Sequence, residues 1–369
     1  MGRIKKQKIL KPGKKDGRER QRNQGKGTVT LRTLAAHVGL SVGTISALLN
    51  DSPSSKHIPK ETRERVLAAA REFDYHPNFF ARSLRNKRTY TIGVIAHEIG
   101  DSYSSLVIAG IEKLARQKDY FFITGIHRHD PDLFDRYAKV LLQRGAEGMI
   151  TVDYNLRHSL PVPTVAVAGH PQHKGVTNII LDHQRAATIA LEHLVGLGHR
   201  KIAFMKGHPE SSDSQTRWLA ICDVAQRMGL DVRPSLTIQI EPQESSPRVG
   251  YLHAKKLIGG KLGFTALFAY NDITALGSMR AFQEAGYEVP RDISVMGFDD
   301  ITLAEFHYPS LTTVRQPLRQ MGEIALQTLL EKIEGREGDG QEIAIQPELV
   351  PRESTAKAPV HPQTLGAKS

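Results

Sequence analysis

Seven short runs rich in β-branched and apolar residues recur along the chain with helical patterns between them, and that alternation narrows the possible folds more than any other feature. The runs are TIGVIAH (91–97), YFFITG (120–125), GMITV (148–152), TVAVA (164–168), KIAFMKG (201–207), FTALFAYN (264–271) and ISVMGFD (293–299). Amphipathic stretches such as 106–117 and 133–144 separate the first three. Brief strands joined through helices make parallel βαβ units. The rhythm restarts at residue 201, which predicts two doubly wound lobes of roughly 120 to 140 residues each, a usual domain size. Between such lobes, at the carboxyl ends of the strands, ligands bind. The fold class expected is therefore α/β for the larger part of the chain.

The first 90 residues follow a different pattern. Leu31, Leu34, Ala35 and Val38 share a helical face, Gly39 ends it, and Ser41 can cap a second helix carrying Ile45, Leu48 and Leu49. After a Ser/Pro-rich loop from Asp51 to Ile58, a third helix places Val66, Leu67, Ala70 and Phe73 in its apolar stripe. Small Ala35 faces small Gly39 where the first two helices meet. A helix-turn-helix requires this, since its helices approach closely at a steep angle.

Charge is unevenly divided. The chain carries +11 overall, of which residues 1–27 hold +9, residues 28–88 hold +5 and the remainder −3. A basic block beside a nearly neutral body marks a polyanion-binding module attached to something else. Residues 1–27 have almost no apolar pattern and are expected to be disordered. A single cysteine, Cys222, allows no intrachain disulfide and no cysteine-based zinc site. No apolar run approaches the ~20 residues of a membrane span, and the basic N-terminus lacks the apolar stretch of a secretory signal. A cytoplasmic location is expected.

Enzyme motifs are missing. The sequence contains no GxGxxG, no P-loop, no HExxH and no GxSxG, and IAHEIG after the first strand offers no phosphate-cradling glycine loop. His127 and His129, with Asp130 beside them, form a weak metal pattern on a loop. The expectation is no metal, no cofactor and no catalytic residue.

LRTLAAHVGLSVGTISALLN (31–50), ETRERVLAAAREFDYHPNFFARSL (61–84), LVGLGHRKIAF (194–204), GYEVPRDISVMGFDD (286–300) and PSLTTVRQP (309–317) occur in this order, and together they resemble the lac repressor (LacI/GalR) family over about residues 29–351. The resemblance implies a lambda-repressor-like helix-turn-helix at 28–76, a hinge helix and linker at 77–89, and a periplasmic-binding-protein-like I body of two lobes at 90–351. The tail 352–369 is expected to be disordered. It further implies DNA contacts from Thr30, Ser41, Val42, Gly43, Thr44, Ser46, Ala47 and Asn50. Asn78, Ala81, Arg82 and Leu84 would belong to the hinge, with Leu84 as a wedge between base steps.

Ala47 stands where relatives commonly carry arginine, and Val42 and Gly43 are poor hydrogen-bond readers, so the operator implied is read more through methyl contacts and shape than through guanine. In the larger body the resemblance implies effector contacts from Tyr103, Ser104, Arg217, Asn271 and Asp299. Ala168 occupies a place that is often acidic in sugar-binding relatives. The partners implied are double-stranded operator DNA, a small-molecule effector (sugar, nucleoside or related metabolite) and a second copy of the chain as a homodimer. A two-lobed transport receptor, the competing reading, would lack residues 29–84 and carry an export signal.

Overall fold

The computed structural model describes residues 29–50, 52–75, 83, 88–171, 173–241, 246–260, 263–336 and 341–360. The basic tail 1–27 and the hinge residues Asn78, Ala81, Arg82 and Leu84 lie outside the described residues. The chain divides into two compact units, Met1–Arg88 and Thr89–Ser369.

In the first unit, helix α1 (Leu31–Val38) begins with a capping box in which Thr30 and Thr33 satisfy each other's backbone amides. It stops at Gly39, whose φ of 70° is a left-handed conformation that costs glycine nothing. Ser41 Oγ then accepts the Thr44 amide at 3.1 Å and starts α2 (Val42–Leu49), turned 107° from α1. A 3-10 turn, Pro53–His57, fills the loop read from sequence as irregular and leads to α3 (Lys60–Glu72).

Leu34, Ala35, Val38, Ile45, Leu48, Val66, Ala69 and Ala70 make the core. Leu67, placed in the stripe from sequence, faces solvent at 40% exposure; Ala69 takes the inward position. Arg65 of α3 donates to the Val38 carbonyl at 2.9 Å, closing the end of α1.

The second unit holds two six-stranded sheets. The first contains β1 (Thr91–Ala96), β2 (Phe121–Ile126), β3 (Met149–Val152), β4 (Thr164–Val167), β5 (Val176–Leu181) and β11 (Glu342–Ile345), in the order β11-β5-β4-β3-β1-β2. The second contains β6 (Ile202–Lys206), β7 (Thr237–Gln239), β8 (Ala266–Phe268), β9 (Ser294–Asp299), β10 (Thr312–Arg315) and β12 (Glu348–Val350), in the order β12-β10-β9-β8-β6-β7. Every recorded pairing is parallel except that of β12 with β10.

The helices of this unit are α4 (Ser102–Gln117), α5 (Pro131–Gln143), α6 (His183–Gly196), α7 (Ser214–Arg227), α8 (Pro247–Gly259), α9 (Asp272–Glu284), α10 (Thr302–Phe306) and α11 (Leu318–Ile333). They cover both faces of the sheets, which is why central strands such as β1, β3 and β9 are buried at every residue and read as unbroken apolar runs.

The lobes are not consecutive halves of the sequence. After the second sheet is nearly complete, α11 returns to pack on the first lobe, β11 adds to its edge, and β12 goes back to the second. Three passages of chain therefore join the lobes. The tail is also more ordered than its composition suggests. Ser354 is fully buried, with its Oγ donating to the Val295 carbonyl at 2.6 Å and accepting the Thr312 amide at 2.8 Å. Ala358 N–H reaches the Leu197 carbonyl at 2.8 Å. The expectation of disorder from residue 352 is thus corrected for 352–360, because a single serine and the backbone around it bond to the starts of β9 and β10.

Asp272 anchors the start of α9. Its carboxylate accepts the Thr313 hydroxyl at 2.6 Å and the Ile301 amide at 2.8 Å. Burial pushes its pKa up to about 7, against the pull of those two bonds. A carboxyl raised above its unfolded value contributes stability below the unfolded pKa of ~3.9 and loses it as pH rises through the folded value. Asp272→Asn carries no charge, and its Oδ1 can still accept the Ile301 amide while its Nδ2 donates to the Thr313 hydroxyl, which turns to accept. The stability difference between variant and wild type should therefore grow in the variant's favour by about 1.4 kcal/mol per pH unit between ~4 and ~7. Urea unfolding of both proteins across that window checks it; parallel pH profiles would refute the assignment.

Candidate functional sites

Helix α2 presents two unlike faces. Ile45 and Leu48 are buried, while Ser41, Val42 and Gly43 are exposed and Thr44, Ser46, Ala47 and Asn50 are half-buried. The residues expected to contact DNA therefore all lie off the core-facing side. No charged residue stands anywhere on α2, so its outer face is hydroxyls and methyls. Two of these side chains already have structural duties. Ser41 caps the helix, and Asn50 Nδ2 donates to the Ser46 carbonyl at 2.7 Å. Thr30, exposed at the start of α1, is likewise occupied in its capping box.

In the second unit a cleft opens at the carboxyl ends of the strands, where doubly wound lobes bind small molecules. Tyr103, Arg217, Asn271 and Asp299 all line it, as expected from the sequence. Ser104 does not; it is fully buried in α4, with its Oγ unpartnered. Asn271 caps α9 through a reciprocal box with Thr274, whose amide it accepts at 2.9 Å, so its carbonyl oxygen serves the helix while the residue faces the cleft.

Arg217 is 6% exposed. Its guanidinium stacks over Phe298 at 3.9 Å and over Tyr270 at 4.8 Å, and Nη1 donates to the Tyr270 carbonyl at 2.9 Å. Nη2 lies 3.7 Å from Asp213 Oδ2. Asp299, at φ 111°, holds a backbone conformation that side-chain-bearing residues rarely adopt. It accepts from Gln316 Nε2 at 2.6 Å, and burial holds its carboxyl well above the usual range despite Arg217. The Tyr103 hydroxyl, Arg217 Nε and Asp213 Oδ2 are buried without partners. Orphaned polar atoms converging on one cavity are what a bound polar ligand would satisfy.

Sequence reasoning missed much of this wall. Asp153, at the end of β3, accepts Ser211 Oγ at 3.0 Å, the Ser212 amide at 2.8 Å and Ser212 Oγ at 2.8 Å, tying the first lobe to the second. His97, His129 and His208 follow β1, β2 and β6 and stack in sequence: 3.9 Å between the first two centroids, 4.9 Å between the last two. His127 is pushed down to about 4 by burial, and His129 to about 3 by burial beside His97 and His208, so both rings are neutral at neutral pH. The weak metal pattern does not assemble as written. Asp130 caps α5, accepting the Asp132 and Leu133 amides. The signal that would have found these side chains is position, since each lies within three residues of the carboxyl end of a strand.

A charge-free reading helix on a small three-helix unit, together with a two-lobed ligand cleft, defines a ligand-responsive DNA-binding regulator. Comparison with known proteins agrees. Residues 30–78 match the lacI family of bacterial regulatory proteins, and residues 191–355 match the periplasmic binding protein-like domain. The chain is 30% identical over 341 residues to the HTH-type transcriptional repressor PurR of Vibrio campbellii, covering 89% of this chain and 99% of that one. To its counterpart in Erwinia tasmaniensis it is 29% identical over 339 residues, covering 89% and 98%. The lac repressor dimer bound to operator and the anti-inducer ONPF superposes with a TM-score of 0.80 at 28% identity, over 89% of this chain and all of the other. The chain belongs to the LacI/GalR family of transcriptional regulators.

Proposed function

We propose that this protein is a transcriptional repressor that reads a pseudo-palindromic operator as a homodimer and changes its grip when a small molecule occupies the cleft between its lobes. The observation that carries the reading is the partition of α2, with every expected DNA contact (Ser41, Val42, Gly43, Thr44, Ser46, Ala47 and Asn50) off the packed side. Thr30 approaches phosphate ahead of α1. Tyr103, Arg217, Asn271 and Asp299 contact the effector.

Four carboxylates, Asp101, Asp153, Asp213 and Asp299, face one guanidinium across the cleft. That excess of acceptors favours a ligand rich in hydroxyl or N–H donors, a sugar, nucleoside or related metabolite, over an anion. Tyr251, Leu276, Leu303 and Phe306 line an apolar groove on the outside of the second lobe, with Phe306 76% exposed, and this face suits a second copy of the chain. No catalytic role falls to any residue, and the site of action is the cytoplasm. Among the described residues no single helix is long and apolar enough to cross a membrane.

The test uses the full chain and a random double-stranded DNA pool at fixed salt, repeated with Val42→Glu. Val42 is 41% exposed at the first position of α2, where a carboxylate favours the helix. The variant should fold normally and lose operator affinity of the order of 100-fold, since like charge is set against the DNA. Undiminished binding by Val42→Glu, or recovery of no two-fold site, would refute the reading.

A further inference from the structure

One group of imidazoles lines the cleft and a second meets the cleft-lining Asp213 from behind, and they differ in what they can hold. A ligated metal ion lies in the plane of each imidazole that binds it. His97 and His129 are inclined by only 21° at 3.9 Å, and His129 and His208 by 16° at 4.9 Å, so their planes do not meet at a shared ion. His127 spends both ring nitrogens: Nδ1 accepts the His129 amide at 3.0 Å, which leaves Nε2–H to donate to the Val152 carbonyl at 3.1 Å. This group is a packed wall of rings.

His170, His183 and Asp213 are arranged otherwise. His170 follows β4 in the first lobe, His183 opens α6, and Asp213 caps α7 in the second lobe. His170 Nε2 lies 2.7 Å and His183 Nε2 3.1 Å from the same oxygen, Asp213 Oδ1, with the two rings inclined by 41°. Donors about 2.0–2.2 Å from a tetrahedral ion stand roughly 3.3–3.5 Å apart. The two nitrogens would each draw back from Asp213 Oδ1 by a fraction of an ångström, and all three ligand atoms already lie within 4.8 Å of one another.

His183 is 5% exposed, yet neither of its nitrogens has a hydrogen-bond partner, although a carboxylate oxygen stands at contact distance. Buried polar atoms left this way call for an absent partner. Arg217 is the cation that would oppose an ion here, but it faces Asp213 Oδ2, while the imidazoles face Oδ1.

We propose that His170, His183 and Asp213 form a binding site for a divalent transition metal of the zinc type, with its remaining position open to the cleft. Two imidazoles and a carboxylate suit zinc, cobalt or nickel rather than magnesium. Because one ligand comes from the first lobe and two from the second, the ion fastens the lobes in their closed arrangement. That the open position takes an effector atom rests on the function proposed above; the metal site itself does not.

The test therefore leaves out both DNA and effector. Untagged full-length protein, stripped with a chelator, is titrated with zinc chloride against a chromophoric competitor, and cobalt chloride supplies visible bands that report tetrahedral coordination. One equivalent should bind per chain, with magnesium chloride giving none. His170→Gln and His183→Gln should each lower zinc affinity by more than the ~10–100-fold typical of losing an outer-shell partner. His170 is half-buried and its substitution leaves the core intact, which circular dichroism verifies. The proposal is overturned if wild-type protein takes up no stoichiometric zinc, if both glutamine variants bind as wild type does, or if His97→Gln abolishes binding instead.

Discussion

Gly277→Ala should lower the stability of the second unit by about 3 kcal/mol or more, the upper end of overpacking costs, and its melting temperature by roughly 6–12 °C. A Cβ at this position would stand 1.7 Å from the Pro247 carbonyl oxygen, and one on Gly250 would stand 1.9 Å from that of Thr274. Both obstacles are backbone, so no side chain can turn aside and α8 and α9 must separate. Those helices also carry part of the cleft, through Ser246 and Val249 on one and Asn271 and Thr274 on the other. Loss of stability should therefore be accompanied by weakened effector response. Gly259→Ala, in the last position of α8 with no atom within 4 Å of the added carbon, is the matched control and should be neutral or mildly stabilising. Equal melting temperatures for the two variants would show that the helices do not meet through their backbones. The first lobe repeats the device: Gly110 of α4 lies against Arg319 O, and Gly322 of α11 against Val107 O.

Arg217→Ala should leave operator binding in place and remove its response to small molecules. The guanidinium is held by two aromatic faces and the Tyr270 carbonyl, and among the described residues it is the only arginine or lysine lining the cleft. Breaking a buried charge pair costs about 3–5 kcal/mol because the partner is left uncompensated. Here Asp299 loses that cation while Asp213 keeps His170 and His183 beside it, and part of the cost is recovered as Asp299, already raised by burial, takes a proton. Arg217→Lys should rescue little, since a lysine keeps the charge but neither the stacking plane nor the fork. Gel-shift assays with the small-molecule fraction of a cell extract, alongside thermal unfolding, read both effects. An alanine variant that melts and responds as wild type does would remove Arg217 from the site.

What the sequence disclosed, and what it hid, follows from where the information is stored. Six of the seven predicted strands appear because they are buried on both faces, so the apolar run is a local property; β2 is a largely half-buried or exposed edge strand, marked by its aromatic and β-branched residues instead. The buried strands β5 and β10 lack a continuous apolar run and are not marked, nor are the edge strands β7, β11 and β12, whose residues are largely half-buried or exposed. Local pattern marks an edge poorly. The interleaving of the lobes was invisible for the same reason, because whether residues 342–345 pair with 178–181 is decided by distant chain.

Arg217, Asn271 and Asp299 were found through resemblance to relatives, and all three do line the cleft. His97, His129 and His208 are far apart in number and stack only because the strand ends converge. Ser104 illustrates the reverse error. It sits one residue from the cleft-lining Tyr103 on α4, and that step turns it into the lobe's interior.

The three passages of chain between the lobes have a mechanical consequence. A body joined to its neighbour by one strand can swivel about it in any direction, whereas three side-by-side connections resist twist and sideways slip and leave a single rotation, opening and shutting, as the soft coordinate. Occupancy of the cleft is thereby converted into one angle rather than a diffuse loosening. The same wiring means that no single cut yields two intact lobes: a chain ending near residue 316 would strip α11 and β11 from the first lobe and β12 from the second.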